Sequence, residues 1–334
     1  MRRPAEVTLA ALAPVVRRLG EAEAVVAGDL VADEYVYGET ERISREAPVL
    51  IVRYERSELR AGAAANAAAN LAALGVRVRL VGVVGEDAVG AALLEVLEGA
   101  GVDVSGVLRL AGRPTEVKTR ILAGGRSTRR QQMLRVDRAP PPLPAAAERA
   151  LAREVARAGR GARAALASDY GSGTLAPPVV EALRKLRARG ASVCVDSRYQ
   201  LASFAGLTTA KPNEPELEAV SGVRLDGPAS FDRAARALLR KLGCEEVLVT
   251  RGRLGMSLYA KGEPPVHLRA HGEREAVDVT GAGDTVGAAF TAARAAGASA
   301  LDAARLANVA GALVVAKPGT ATVSGAELLR ELEG

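Results

Sequence analysis

Short runs of β-branched and small apolar residues alternate along the chain with longer segments rich in alanine and leucine. The runs at 24–27, 77–81, 164–167, 192–195 and 246–249 predict strands. The longer segments at 64–74, 88–98, 144–158, 175–189, 232–242, 282–295 and 301–316 predict helices. Strands alternating with helices of this length imply a mostly parallel α/β sheet covered on both faces. No self-similar period recurs, which excludes repeat architectures.

Two stretches break the rhythm. Residues 34–60 and 104–138 contain short alternating strands, as in Val49-Leu-Ile-Val52 and Val117-Lys-Thr-Arg-Ile-Leu122. They predict a small separate sheet, and such a sheet beside a cleft acts as a lid. The alternative is an edge extension of the main sheet. Ala139-Pro-Pro-Pro-Leu-Pro144 closes the second stretch and opens a helix. At the N-terminus, Arg2 and Arg3 precede an apolar segment at 7–16 that Pro14 interrupts. It reads as a short surface helix and not as a signal peptide. The uncharged segment at 61–76 carries Asn66 and Asn70 and falls short of the ~18–20 apolar residues of a membrane span.

Composition narrows the picture. With 334 residues at 49% hydrophobic and 25% charged, the chain excludes disulfide-stapled mini-proteins and disorder. Cys194 and Cys244 show neither a CxxC spacing nor a zinc pattern, and the expected compartment is a reducing cytoplasm. The net charge of +6 invites a nucleic-acid reading, but only six of the 45 basic residues are lysine. That imbalance points to arginine-rich coding bias. Aromatics at 3%, without tryptophan, leave no stacking platform for single strands. Small anionic substrates are expected instead.

The sharpest chemical feature is Asp278-Val-Thr-Gly-Ala-Gly-Asp284, immediately before a predicted helix. Its glycines allow a tight turn, and the backbone N–H groups of a helix start favour an anion. Asp284 in the first turn is positioned to take a proton from an attacking hydroxyl, or simply to stabilise the helix end. A helix N-terminus is expected to lower its pKa. Phosphoryl transfer tolerates so weak a base, because the proton can leave late. Gly281-x-Gly283-x-x-x-Gly287 misses the dinucleotide GxGxxG spacing, and GxxxxGK[ST] is absent.

Other candidates lie at predicted strand ends, where open parallel sheets bind ligands. Asn213 and Glu216, in Lys211-Pro-Asn213-Glu-Pro-Glu216, are suitable for Mg²⁺ directly or through water, or equally for a capping box. Asp29, Asp33 and Asn66 suit polyol hydroxyls, with ordinary cap chemistry as the alternative. Asp169-Tyr-Gly-Ser-Gly173 and Thr250-Arg-Gly252 are further glycine turns after strands.

These segments resemble a known family. Asp278–Asp284 is similar to the C-terminal signature of the ribokinase-like (PfkB) carbohydrate kinases. Asn213-Glu-Pro-Glu216 resembles their NxxE motif, and Gly62–Asn66 their N-terminal glycine signature. Longer stretches resemble the D-glycero-D-manno-heptose 7-phosphate 1-kinase subgroup. Among them are Gly28-Asp-Leu-Val-Ala-Asp33, Arg42-Ile-Ser-Arg-Glu-Ala-Pro-Val49, Lys118-Thr-Arg120, Gln131-Gln-Met-Leu-Arg-Val-Asp137 and Asp169-Tyr-Gly171. Two departures stand out. Ala63 replaces a glycine, and Asp196-Ser197-Arg198 replaces Asp-Pro-Lys.

The resemblance implies a single domain over 1–334, a three-layer sandwich with a small β-sheet lid. It implies phosphoryl transfer from ATP to a sugar, with heptose 7-phosphate expected and ribose, fructose or a fructose phosphate as alternatives. A catalytically silent sugar- or nucleotide-binding regulator is the non-enzyme alternative. Implied roles are Asp284 as base and the backbone of Gly281, Ala282 and Gly283 as anion hole. Asp29, Asp33, Gly62, Asn66, Lys118 and Arg120 would hold the sugar. Asn213, Glu216, Arg198, Thr250, Arg251, Gly252 and Asn308 would border the nucleotide, the first two also serving Mg²⁺. Potassium is expected near Val279 and the Lys317-Pro-Gly-Thr loop, and a homodimer through the lid. The length is expected to leave no room for the nucleotidyltransferase module that some heptose kinases carry.

Overall fold

A computed structural model describes residues 9–125, 130–272 and 276–334; the apolar segment expected from Val7 therefore begins outside the described residues, as do Arg2 and Arg3. The chain runs α1 (Ala13–Arg17), β1 (Glu23–Gly28), β2 (Leu30–Ile43), β3 (Leu50–Ala63), α2 (Ala64–Ala73), β4 (Arg77–Gly85), α3 (Ala88–Gly99) and β5 (Asp103–Leu110). It continues through β6 (Glu116–Gly124), β7 (Gln131–Arg138), α4 (Ala145–Ala158), β8 (Ala164–Asp169), α5 (Pro177–Ala188), β9 (Ser192–Ser197), β10 (Thr209–Ala210), α6 (Glu214–Ser221) and α7 (Pro228–Leu242). The last elements are β11 (Glu246–Thr250), β12 (Met256–Ala260), β13 (Val266–Leu268), α8 (Ala282–Ala295), α9 (Ala300–Val314) and α10 (Gly325–Glu333).

A nine-stranded sheet has the order β13-β12-β11-β10-β9-β8-β1-β4-β5. It is parallel except where β12 pairs antiparallel with β11 and β13. Side chains of a strand alternate between faces, so Ala24 and Val26 of β1 join one core while Val25 and Ala27 join the other. Leu71 of α2 and Phe290 of α8 pack in the first core. Leu151 of α4, Leu183 of α5 and Leu238 of α7 pack in the second. This is the ribokinase-like sandwich of helix, sheet and helix.

A second sheet of four strands has the order β3-β2-β6-β7. The stretch 104–138 divides between the two sheets. Its first strand, β5, pairs with β4 at the edge of the main sheet, and only β6 and β7 join the small one. β5 is half-exposed, as an edge strand is, so its alternation is indistinguishable from that of a separate sheet. Ile43, Tyr54, Leu134 and Val136 of the small sheet are exposed.

Candidate active site

Asp284 lies in the first turn of α8 and is 4% exposed. Alanines bring α2 against α8: Ala64, Ala65, Ala68, Ala288, Ala289 and Ala292 are all buried in the shared core. That close approach delivers Asn66, whose Nδ2 donates to Asp284 Oδ2 at 2.9 Å. Asn70 Nδ2 in turn donates to Asn66 Oδ1 at 3.1 Å, and the Thr285 hydroxyl donates to Asn70 Oδ1 at 3.0 Å. Gly281 caps α8 at φ 77°, and a Cβ there would meet Asn66 Nδ2 at 2.6 Å, so the turn requires glycine on both counts.

The other Asp284 oxygen, Oδ1, accepts from the Tyr170 hydroxyl at 2.7 Å. Burial pushes the carboxyl up to about 6, aided by nearby Asp196 and opposed by Asn66, Tyr170 and Lys211. The lowered pKa expected from the helix N-terminus is therefore overturned. Desolvation of a nearly inaccessible carboxylate outweighs the helix dipole.

Of the turn's backbone donors, Ala282 N–H is spent on Val279 O at 3.2 Å. The Gly281 and Gly283 N–H groups have no protein acceptor among the described residues. The anion hole expected from all three residues thus has two available donors here.

Most side chains expected at the sugar are engaged with each other. Asp33 Oδ1 pairs with Arg120 at 2.5 Å, and Lys118 Nζ pairs with Glu116 at 2.8 Å. Gly62 lies against the Asp33 carboxylate, which a Cβ would approach to 2.7 Å. Asp29 accepts the N–H groups of Tyr170, Ser172 and Thr174 at 2.8, 3.1 and 3.0 Å. It holds a loop where a sugar ligand was expected.

On the far side of the Gly-Ala-Gly turn is a cavity of about 400 Å³ with apolar walls of Ala270, Val279, Val286, Ala312 and Val315. Ala282 and Gly283 also line it, as do Thr250, Gly252 and Asn308, three of the residues expected beside a nucleotide. Arg251 is the exception. Its guanidinium pairs with Glu214 at 2.8 Å and stacks 4.1 Å over Phe231, and Arg253 borders the cavity instead. Arg198 has no carboxylate partner among the described residues and lies 4.6 Å over the Tyr170 ring. Its neighbour Ser197 donates to Asp169 at 2.5 Å, which gives this departure from the family pattern a structural role.

Asn213 and Glu216 form a capping box. Asn213 Oδ1 accepts from Glu216 N–H at 2.8 Å, and Glu216 Oε2 accepts from Asn213 N–H at 2.9 Å. The cap leaves Glu216 Oε1 as the one oxygen without a protein partner among the described residues. A magnesium ion that keeps its waters and binds chiefly to phosphates fits such a donor; direct ligation by Asn213 does not. No cluster of three or more metal-ligating side chains occurs among the described residues. Around the expected potassium position, Asp278 accepts from Thr280 and Gly319 N–H, tying the two loops together. Lys317 donates to Thr322 O and Glu327 in the second loop.

Tyr170, Lys211 and Asp196 had drawn no assigned role from the sequence. Lys211 is 3% exposed and pairs with Asp196 at 2.8 Å beneath Gly283. For Lys211 the available signal was its position two residues before Asn213, and for Tyr170 its place directly after a fully buried strand.

The model of the pfkB family of carbohydrate kinases matches residues 22–326. The chain belongs to that family. Members are phosphotransferases acting on sugar hydroxyls. Among curated relatives, this pfkB chain is 40% identical over 318 residues to the bifunctional protein HldE of Pelobacter propionicus, covering 94% of this chain and 64% of that one. It is 43% identical to HldE of Azotobacter vinelandii, covering 95% and 65%. The chain thus spans less than two thirds of the length of these relatives. Ribokinase of Arabidopsis thaliana, solved with ribose and ATP, superposes at TM-score 0.74 with 25% identity, covering 94% and 99%. Phosphofructokinase-2 of Escherichia coli, solved with potassium, gives TM-score 0.76 at 19% identity, covering 93% and 98%, a likeness of fold. Among the described residues no helix is long and apolar enough to cross a membrane.

Proposed function

We propose that this pfkB chain transfers the γ-phosphoryl group of ATP to a sugar hydroxyl in the cytoplasm, with O1 of D-glycero-D-manno-heptose 7-phosphate as the acceptor. The observation carrying the reading is the buried Asp284 carboxylate, held by two donors, one residue from a glycine turn that borders a largely apolar cavity of about 400 Å³. Asp284 takes the acceptor's proton as its oxygen attacks the γ-phosphorus, and the bond to the ADP oxygen breaks. The Gly281 and Gly283 N–H groups stabilise charge on the transferring group. A carboxyl poised at about 6 is ionised at neutral pH yet more basic than an exposed aspartate. Magnesium, held through water by Glu216 beside Asn213, would neutralise phosphate charge when bound. Potassium at the Asp278–Gly319 junction remains part of the reading, as does a dimer through the exposed face of the small sheet. The long subgroup stretches and the likeness to HldE proteins support heptose phosphate.

One observation favours an unphosphorylated sugar such as ribose: Lys118 and Arg120 are already paired with Glu116 and Asp33. ADP release measured across heptose 7-phosphate, ribose, fructose and fructose 6-phosphate separates the two. Asp284→Asn should lower turnover at least ~10²-fold with ATP affinity little changed. Near-normal turnover in that variant sinks the assignment of the base, and binding without transfer to any sugar revives a silent regulator.

A further inference from the structure

Tyr170 follows β8 directly, on a loop whose freedom is removed from several sides. Asp29, 1% exposed, gathers the N–H groups of Tyr170, Ser172 and Thr174 onto one carboxylate. Asp169 accepts from Gly171 N–H at 3.1 Å and is itself fixed by Ser197. The Arg198 guanidinium covers the tyrosine ring at 4.6 Å, and the Lys118 ammonium lies 5.9 Å from it. A phenol mounted this rigidly ends 2.7 Å from Asp284 Oδ1. Oδ2 is occupied by Asn66.

The geometry points to Tyr170 as a positioning residue of the proposed kinase, its hydroxyl holding the Asp284 carboxylate ionised and in one orientation while a second lone pair of Oδ1 serves the acceptor. Asp29 then acts through Tyr170 by fixing its backbone, and not on the sugar. This inference rests on reading Asp284 as the base. The charged and polar groups facing Asp284 are Asn66 from α2, Asp196 from β9, Arg198 just beyond it, Lys211 after β10, and Tyr170. Of these, only Tyr170 and Asn66 donate a hydrogen bond to the carboxylate. A donor to a carboxylate favours its charged form. Removing the hydroxyl therefore moves the Asp284 midpoint upward.

Carbon-13 NMR of aspartate carboxyls in the full chain tests this without any sugar, with Asp284→Asn identifying the signal. Tyr170→Phe should raise the Asp284 midpoint by about 1 pH unit. An unmoved midpoint overturns the inference. With whichever sugar is turned over, the acid limb of kcat against pH should shift upward in Tyr170→Phe, with the rate recovering at high pH. Asp29→Asn should shift the limb in the same direction. A uniform loss of rate at every pH, or a raised KM with the limb in place, would mark Tyr170 as merely structural. Absence of turnover with every sugar would strike the kinase reading alone, and the NMR midpoint would still decide the role of Tyr170.

Discussion

Replacing Asp284 by asparagine should separate stability from activity, with a sign that depends on pH. Burial raises this carboxyl from an ordinary 3.8 to about 6 in the fold. Between those values the folded chain holds a proton that the unfolded chain has released. Stability therefore falls as pH rises through the window, and above about 6 the full penalty is present. At about 1.4 kcal/mol per pKa unit, ionising Asp284 costs the fold about 3 kcal/mol at neutral pH. A salt-bridged aspartate behaves in the opposite way. Asparagine abolishes the penalty but accepts only one of the two hydrogen bonds now made by Asn66 and Tyr170. The mismatched hydroxyl costs about 1–3 kcal/mol at every pH.

The absolute gain is therefore small, and the informative quantity is its slope. The stability of Asp284→Asn relative to the parent should grow by roughly 1.5 kcal/mol between pH 5 and pH 8. Urea unfolding followed by far-ultraviolet circular dichroism suits a chain that has no tryptophan. Midpoints compared at matched urea slope give the difference directly. A difference that stays constant across the range, or shrinks toward pH 8, would show that Asp284 ionises as an ordinary surface aspartate. The desolvation argument would then fail.

Ala63→Gly addresses the departure from the family's paired glycines. Ala63 sits at φ 53°, ψ −129°, a region that costs a non-glycine residue of order 1–3 kcal/mol. Glycine should raise the unfolding free energy by about 1 kcal/mol net of its own chain entropy, seen as a higher urea midpoint, and a lowered midpoint would refute the strain. The exposed face carrying Tyr54 (62% exposed) and Leu134 (55%) predicts a dimer. Tyr54→Asp with Leu134→Asp should convert it to monomer by light scattering, and a parent chain that is monomeric at micromolar concentration counts against the interface.

The main sheet was legible because its strands are buried on both faces and read as short apolar runs, as in residues 164–167. The split of 104–138 was not, since β5 alternates like a two-sided strand for a different reason, its place at an edge. α10 was missed although Ser324 and Glu327 carry a capping-box pattern, here formed at 3.2 and 2.9 Å. At the site, residue types were readable and their partners were not. Asp284 stood out from its glycines, but its raised pKa depends on burial created by α2, more than 200 residues earlier in the chain. Asp29 looked like a sugar ligand because a carboxylate at a strand end is chemically versatile. Only the path of the loop through Tyr170, Ser172 and Thr174 shows how its oxygens are spent.

That distribution of partners changes what the basic excess can mean for substrate binding. Arg120, Lys118 and Lys211 each face a carboxylate within 2.8 Å, so the cations nearest the proposed sugar and phosphate sites are already neutralised in pairs. Such pairs preorganise a site at the cost of desolvation, and breaking one leaves a buried charge without compensation. A phosphorylated sugar therefore has to be recognised either by a cation outside these pairs or by sharing one of them. Arg198 is the cation near Asp284 with no carboxylate partner among the described residues, and it stacks on Tyr170, whose hydroxyl donates to Asp284. An anion drawn to Arg198 would sit against the ring that positions Asp284. If Asp284 is the base, as proposed, charge recognition and its ionisation would be joined through a single side chain. That link is invisible in the arginine excess alone, because it depends on which cations the fold leaves unpaired.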